Sequence, residues 1–407
     1  MLDGILRTIK KIIPGRIFRA LEPYYHFSLA FLSAVFYSFP SRSMKIVGVT
    51  GTSGKTTTIE FLHSIFQSAG YKTASLSSLR FKILDKEEPN MLKMTLPGRF
   101  RVQKFLKDAK NKGAEYVFLE VTSEGIKQFR HKFINFYAAI LTNLSEEHIE
   151  SHGGFANYRA AKGEIFKKAP LVILNGDDSN LEYFYEISPK EKIVFVSSDF
   201  PEDIDVKIPG SFNKMNALSA LTFAKRDGVS PEHIKKGIES VKGVHGRMEF
   251  VSLPGVPVNF KALVDYAFLP QTLEKVYEIL SGAVAAKKLV CVIGATGGGR
   301  DKGKRPLLGN IAAKYCRKVF VTNEDPYDED PMEIINQIAG PHNFQKILDR
   351  RKAIRQALKS AEDGEVVVVT GKGAEPWIMG PNGSRTPWDD RAVIKEELGN
   401  LFSLPES

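Results

Sequence analysis

Apolar residues in this chain gather into short runs set off by glycine, proline and charged clusters. Ile46 to Val49, Tyr116 to Val121, Ala138 to Leu141, Leu289 to Ile293, Val319 to Thr322 and Glu365 to Thr370 read as buried strands. Helical stretches alternate with them: one running through Phe61 and Leu62, one carrying Tyr158 to Lys162, then Pro331 to Ile338 and Arg351 to Ala361. Such alternation predicts an α/β fold with parallel sheets. The expected division is an N-terminal segment of residues 1–43, a central domain over 44–244 and a doubly wound C-terminal domain over 245–407, with the hinge at Lys242 to Arg247.

The N-terminal segment is basic and then apolar. Arg7, Lys10, Lys11, Arg16 and Arg19 precede Tyr24 to Phe39, in which His26 alone is ionisable apart from the tyrosines. Sixteen helical residues span about 24 Å, short of the roughly 30 Å hydrocarbon core, so a spanning helix is not expected. Pro40 to Ser43 lead directly into the first strand without a small-residue cleavage site, which argues against a secretion signal. Two expectations follow: packing on the central domain, or lying peripherally on an anionic membrane surface.

Composition excludes some classes. With 407 residues, 43% of them hydrophobic, the chain is globular rather than disordered. The net charge of +10 is spread along the sequence, and no nucleic-acid motif accompanies it, so no nucleic-acid partner is expected. Cys291 and Cys316 lie in or beside apolar stretches without metal or redox spacing, and the expectation is reduced thiols in a cytoplasmic protein.

The stretch that carries chemistry is Val49 to Thr58. Gly51 and Gly54 free the backbone so that N–H groups can converge on a phosphate. Lys55 supplies a point charge, Thr56 a hydroxyl for Mg²⁺, and the helix that follows directs its positive end at the anion. The general phosphate-loop pattern has glycine where Val49 stands, and here the first loop glycine is Gly51. Glu120, at the carboxyl end of a buried strand, sits where open α/β sheets place ligands, and a carboxylate there is economical as a Mg²⁺ ligand.

The tighter loop T-G-T-x-G-K-T resembles that of the Mur ligases and the folylpolyglutamate synthetases. Thr142-Asn-Leu-x-x-x-His148-x-x-x-His152-Gly, followed by Tyr158-x-x-Ala-Lys162, resembles the E-type Mur ligases, which add the third amino acid to UDP-N-acetylmuramoyl-dipeptide. Glu120 to Arg130, Gly210 to Asn216, Gly246 to Glu249, Val264 to Ala267, Arg300 to Pro306, Glu329 to Pro331 and Gly371 to Glu375 continue the likeness in order. The resemblance implies a P-loop-type ATPase domain followed by a Rossmann-like domain, and ATP with two Mg²⁺ ions as cofactors. It implies Lys55, Glu120, His148 and Lys162 as catalytic residues, and Thr56, Glu120, His148 and a carbamylated Lys162 as metal ligands. Gly51, Thr52, Ser53, Gly54, Lys55, Thr56 and Thr57 would hold the phosphates. Asn213, Asn216, Arg247 and Asp265 would serve adenine, phosphate and ribose. Thr95, Thr122, Ser123, Gln128, Arg130, Arg300, Asp325, Tyr327, Gly371 and Glu375 would contact a UDP-N-acetylmuramoyl-peptide and a free amino acid. A monomer is expected.

Four departures from the family pattern bear on substrate. Only 43 residues precede the first strand, where the family has a uridine-binding domain. Met94-Thr95-Leu96-Pro97 replaces the paired threonines before proline, and Tyr266-Ala-Phe-Leu-Pro270 replaces Y-A-H-T-P. Glu324-Asp-Pro-Tyr327 stands where D-N-P-R reads diaminopimelate, which predicts weak selection of that amino acid and, from Glu324 and Asp325, a preference for a cationic side chain. Those two acids would alternatively cap the helix near Pro331. Two rival readings stand beside the leading one: a ligase for a carboxylate without the uridine nucleotide, and a nucleotide-binding scaffold without turnover.

Overall fold

A computed structural model describes residues 15–92, 94–145, 152–188, 191–282, 289–299 and 302–402. These fall into two compact units, one of residues 15–145, 154–202 and 215–238 and the other of 152–153, 203–214 and 239–402.

In the first unit the strands are β1 (Lys45–Thr50), β2 (Thr73–Leu76), β3 (Arg80–Ile83), β4 (Lys86–Pro89), β5 (Tyr116–Glu120), β6 (Phe136–Leu141), β7 (Leu171–Asn175) and β8 (Glu191–Phe195), in the order β4-β3-β2-β5-β1-β6-β7-β8. Strands β2, β5, β1, β6, β7 and β8 run parallel, and β3 and β4 form an antiparallel edge. The inner parallel strands bury both faces, which is why Val47, Val117 and Ile140 belong to unbroken apolar runs rather than alternating ones. Register places Val49 beside Glu120 on one side and Ile140 on the other. The loop after β1 therefore emerges at the carboxyl edge between two neighbouring strand ends.

The N-terminal helix Gly15–Phe36 continues through Pro23 and ends where Ser38 and Phe39 turn left-handed, at φ 60° and 47°. Ala30, Ser33 and Ala34 face inward, and the helix packs against helix Arg99–Asn111, the first of the two expected arrangements.

Two buried histidines in this unit carry a pH consequence. Burial holds His63 and His131 down to about 3, and neither ring nitrogen of His131 has a partner among the described residues. The unfolded chain binds these protons near pH 6.5 and the folded chain does not, so stability is full above that value and is lost as pH falls towards about 3. The slope is about 1.4 kcal/mol per pH unit for each histidine. Urea midpoints measured between pH 8 and pH 4 should fall in this window, and less steeply for His131→Leu; a flat profile would contradict the burial argument.

The second unit's sheet runs β13-β12-β11-β14-β10-β9, with β9 (Glu249–Val251), β10 (Lys261–Asp265), β11 (Leu289–Ile293), β12 (Cys316–Thr322), β13 (Gln345–Ile347) and β14 (Val366–Thr370). All pairs are parallel except β9 with β10. A short hairpin, β15 (Trp377–Met379) with β16 (Arg385–Pro387), follows. Strand β12 begins three residues before its expected start at Val319, because Cys316 pairs with Leu289 ahead of the charged Arg317 and Lys318. The expectation of reduced thiols is corrected: Cys291 and Cys316 form a disulfide. Parallel pairing of β11 with β12 brings their Cα atoms to 6.2 Å, within bridging reach, a proximity that a sequence separation of 25 does not reveal. The helix at Pro331 is capped by Asp330, whose carboxylate accepts the Met332 N–H at 2.8 Å, so Glu324 and Asp325 do not cap it.

Candidate active site

Gly51 and Gly54 adopt φ of +151° and +80°, and each is hemmed in by a side chain. A Cβ at Gly51 would strike the Thr142 hydroxyl, and one at Gly54 the Asn216 amide, so both positions require glycine. The loop between them is held by the segment after β6. Thr142 Oγ1 donates to Ser53 O at 2.6 Å, while Asn143 accepts from the Ser53 N–H at 3.0 Å and donates to Ser53 O at 3.1 Å. Thr52 Oγ1 accepts from Ser145 N at 2.9 Å and lies 3.1 Å from the Tyr158 hydroxyl. Thr142 and Asn143, which open the motif that runs to His152 but were given no role in it, are thus site-forming residues. Their signal was the polar pair directly after a buried strand beside β1.

Beneath the loop, Thr56 Oγ1 donates to Glu120 Oε2 at 2.9 Å and lies 3.0 Å from Ser78 Oγ. The same carboxylate oxygen accepts the Ser78 N–H at 2.9 Å. Glu120 is only 3% exposed. Two hydroxyls and a carboxylate on one spot form an all-oxygen set that suits Mg²⁺, and Ser78 is the member that sequence reading missed. Among the described residues no three His, Cys, Asp or Glu side chains gather to hold a metal unaided. His148, the expected further ligand, and Arg300 lie outside the described residues.

Lys55 Nζ donates to Gly51 O at 3.0 Å and Thr52 O at 2.8 Å. Lys162, on helix Phe155–Phe166, is 2% exposed; its Nζ donates to the same Gly51 carbonyl at 2.7 Å and lies 4.7 Å from the centre of the Tyr158 ring. It is no surface lysine. Thr57 is buried at the start of helix Lys55–Ser68.

A second cluster in this unit gathers several expected substrate residues. Arg130 donates to Leu96 O and, at 2.7 Å, to Gln128 Oε1; Arg99 donates to Gln128 O and meets His26 Nδ1 at 2.6 Å. Burial and the neighbouring Arg99 lower Arg130 to about 10, and burial lowers Arg99 as well. Neither guanidinium has a carboxylate partner among the described residues, and the Nε of each is buried without a hydrogen bond. Thr95 adjoins Leu96 in this segment, half-buried. Thr122 caps helix Ser123–Lys127 by accepting the Gly125 N–H at 3.1 Å, with Ser123 buried behind it.

In the second unit the expected residues surround a buried cation, Lys372. Its Nζ donates to Asp325 at 2.8 Å and Glu375 at 2.7 Å; Glu375 also accepts the Tyr266 hydroxyl at 3.0 Å, and the Arg247 guanidinium lies 4.2 Å from the centre of the Tyr266 ring. Asp325 further accepts the Met379 N–H at 2.8 Å. Asp265 accepts backbone N–H groups of Met248 and Ala267, both at 2.7 Å; burial raises its pKa, opposed by Arg247 and these N–H groups. Burial and the adjacent Asp325 raise Glu324, which accepts from Thr296 at 2.8 Å and lies where a Cβ on Gly371 would fall. Tyr327 holds φ +52°, with its ring against Gly298. Asn213 is buried and donates to Pro209 O at 2.7 Å.

Comparison with known proteins identifies the scaffold. The Mur ligase middle domain matches residues 49–203, and the Mur ligase glutamate ligase domain matches residues 246–373. The UDP-N-acetylmuramoyl-L-alanyl-D-glutamate–2,6-diaminopimelate ligase of Syntrophomonas wolfei is 34% identical over 91% of this chain and 81% of its own. The chain belongs to the Mur ligase family. A solved 2,6-diaminopimelate ligase of the same substrate name superposes with a TM-score of 0.58 at 26% identity, covering 88% of this chain and 78% of that one. The E. coli FolC in complex with DHPP and ADP gives 0.69 at 19% identity over 85% and 90%, a likeness of fold alone. As a Mur ligase the protein is an ATP-dependent, ADP-forming ligase, and the glycine loop is read in that light.

Proposed function

We propose that this Mur ligase joins an amino acid to the terminal carboxylate of a UDP-N-acetylmuramoyl-peptide, in peptidoglycan precursor synthesis. The observation that carries the reading is the meeting of Thr56, Ser78 and Glu120 beneath a loop whose two glycines admit no side chain. A carboxylate cannot expel oxide at neutral pH, so it is first phosphorylated by ATP; the amine then attacks the acyl phosphate and phosphate leaves. Thr56 and Glu120 would hold Mg²⁺, which supplies charge neutralisation when bound. Loop N–H groups and Lys55 would orient the transferred phosphoryl group, and positioning makes up most of the catalysis. The expected carbamate at Lys162 has an electrostatic motive: two lysine ammonium groups converge on one carbonyl, that of Gly51, and converting one to an anion turns repulsion into attraction.

The neighbouring guanidiniums of Arg99 and Arg130, which have no ion-pair partner among the described residues, fit an anionic part of the muramoyl substrate. Arg130→Ala should raise the substrate KM by about 10-fold or more while leaving the KM for ATP unchanged, since a buried charge-assisted pair is worth about 1.5–3 kcal/mol. Equal shifts in both constants would move Arg130 away from the substrate. Phosphate release measured across panels of UDP-sugar peptides, non-nucleotide carboxylates and amino acids separates this function from its rivals; turnover only without the nucleotide, or none at all, would overturn it.

For the amino acid, Tyr327 offers no cationic fork for a distal carboxylate. Lys372 is shared by Asp325 and Glu375, so any pull on a cationic side chain rests on Glu324 and on the carboxylate charge that one lysine leaves over. Competition among lysine, ornithine, diaminopimelate and alanine should favour the first two. A clear preference for diaminopimelate, unaffected by Tyr327→Ala, would show that other residues read the pocket.

A further inference from the structure

The helix Gly15–Phe36 is apolar on two opposite sides. Ala30, Ser33 and Ala34 face the unit's interior, while Tyr24 is 73% exposed, Phe31 45%, Leu32 55%, Val35 46% and Phe36 72%. Phe100 from the neighbouring helix extends the outer surface, its ring centre 6.2 Å from that of Phe36 and itself 42% exposed. A helix face turned to water is ordinarily charged, yet no Asp, Glu, Lys or Arg occurs between Glu22 and Arg42. Something other than water is the natural neighbour of this face.

We infer that this face docks peripherally on an anionic lipid surface. No described helix is long and apolar enough to cross a membrane, so the contact is in the plane of the surface. Tyrosine and phenylalanine are residues that settle at headgroup level. The charge next to the patch is mainly basic: Arg16 and Arg19 precede it in sequence, the exposed Arg42 follows it, the exposed Arg101 stands next to Phe100, and between Glu22, at the start of the patch, and Glu60 no acidic residue occurs in the sequence. That pattern complements an anionic headgroup layer. A second copy would instead set this basic rim against its own like charge.

The test is co-sedimentation of the full chain with vesicles of phosphatidylcholine, with and without phosphatidylglycerol, over a range of salt. The wild type should pellet with the phosphatidylglycerol vesicles and release as salt rises. The combined variant Tyr24→Ser, Leu32→Ser, Phe36→Ser removes only exposed side chains; it should bind at least about 10-fold more weakly, with vesicle-free ligase turnover unchanged. The charge-reversed pair Arg42→Glu, Arg101→Glu should lose binding to the same vesicles and keep its thermal midpoint. The inference fails if the wild type pellets with neither vesicle, if either variant binds as the wild type does, or if sedimentation velocity shows a dimer that the serine variant converts to monomer while no vesicle binding occurs. None of these outcomes depends on which carboxylate the ligase uses.

Discussion

Lys55→Ala is expected to lower the chemical step of ligation by about 10²-fold or more, because charge accumulating on the transferred phosphoryl group loses its fixed cation. The fold should survive. The loop's shape is imposed by Thr142 and Asn143 gripping Ser53, and by two glycines that admit no Cβ, whereas Lys55 contributes only two bonds to loop carbonyls. Single-turnover phosphate release and a thermal melt, run side by side, check both halves. Near-normal turnover would remove the loop from the mechanism, and a collapsed melt would show that Lys55 is structural.

Lys162→Ala should be inactive, for a different reason. Its Nζ lies buried against the Gly51 carbonyl, where a carbamate would present an anion beside the loop and a bare ammonium would add to the charge of Lys55. Loss of activity alone would not separate this from a packing defect. The separating measurement is recovery: a short-chain carboxylate such as formate or acetate should restore part of the turnover of the alanine variant, since a small anion can enter the space left. A packing defect would not respond to formate. Intact-mass measurement of the native protein in bicarbonate supplies the second check, and an unmodified Lys162 there would count against the carbamate.

The residues whose chemistry is local were readable before any fold was known. Gly51, Gly54 and Lys55 announce an anion cradle by backbone freedom and charge, and Glu120 announces a ligand by being a carboxylate at the end of an apolar run. Strands β1, β5, β6, β11 and β14 were readable for a related reason: burial on both faces leaves unbroken apolar runs that need no partner to be recognised. Helix ends were less so. Whether Asp330 or Glu324 caps the helix at Pro331 depends on backbone angles at single residues, and several acids in one stretch are equivalent on paper.

What only the tertiary structure decided are pairings between segments far apart in the chain. Ser78 joins Thr56 and Glu120 because β2 lies beside β5; nothing about a serine in a serine-rich turn distinguishes it beforehand. Lys372 pairs with Asp325 across 47 positions and with Glu375, which reduces the negative charge left for an amino acid to meet. Cys291 and Cys316 become a disulfide because β11 and β12 run side by side. Arg99 and Arg130 become neighbours, without an ion-pair partner among the described residues, only once Gln128 stands between them. Sequence by itself determined which groups are present and which segments are buried, because hydrophobicity and backbone freedom belong to single residues and short windows. The partner of each charge was left to the fold, since Coulomb attraction and hydrogen bonding depend on distance in space, which a linear order does not contain.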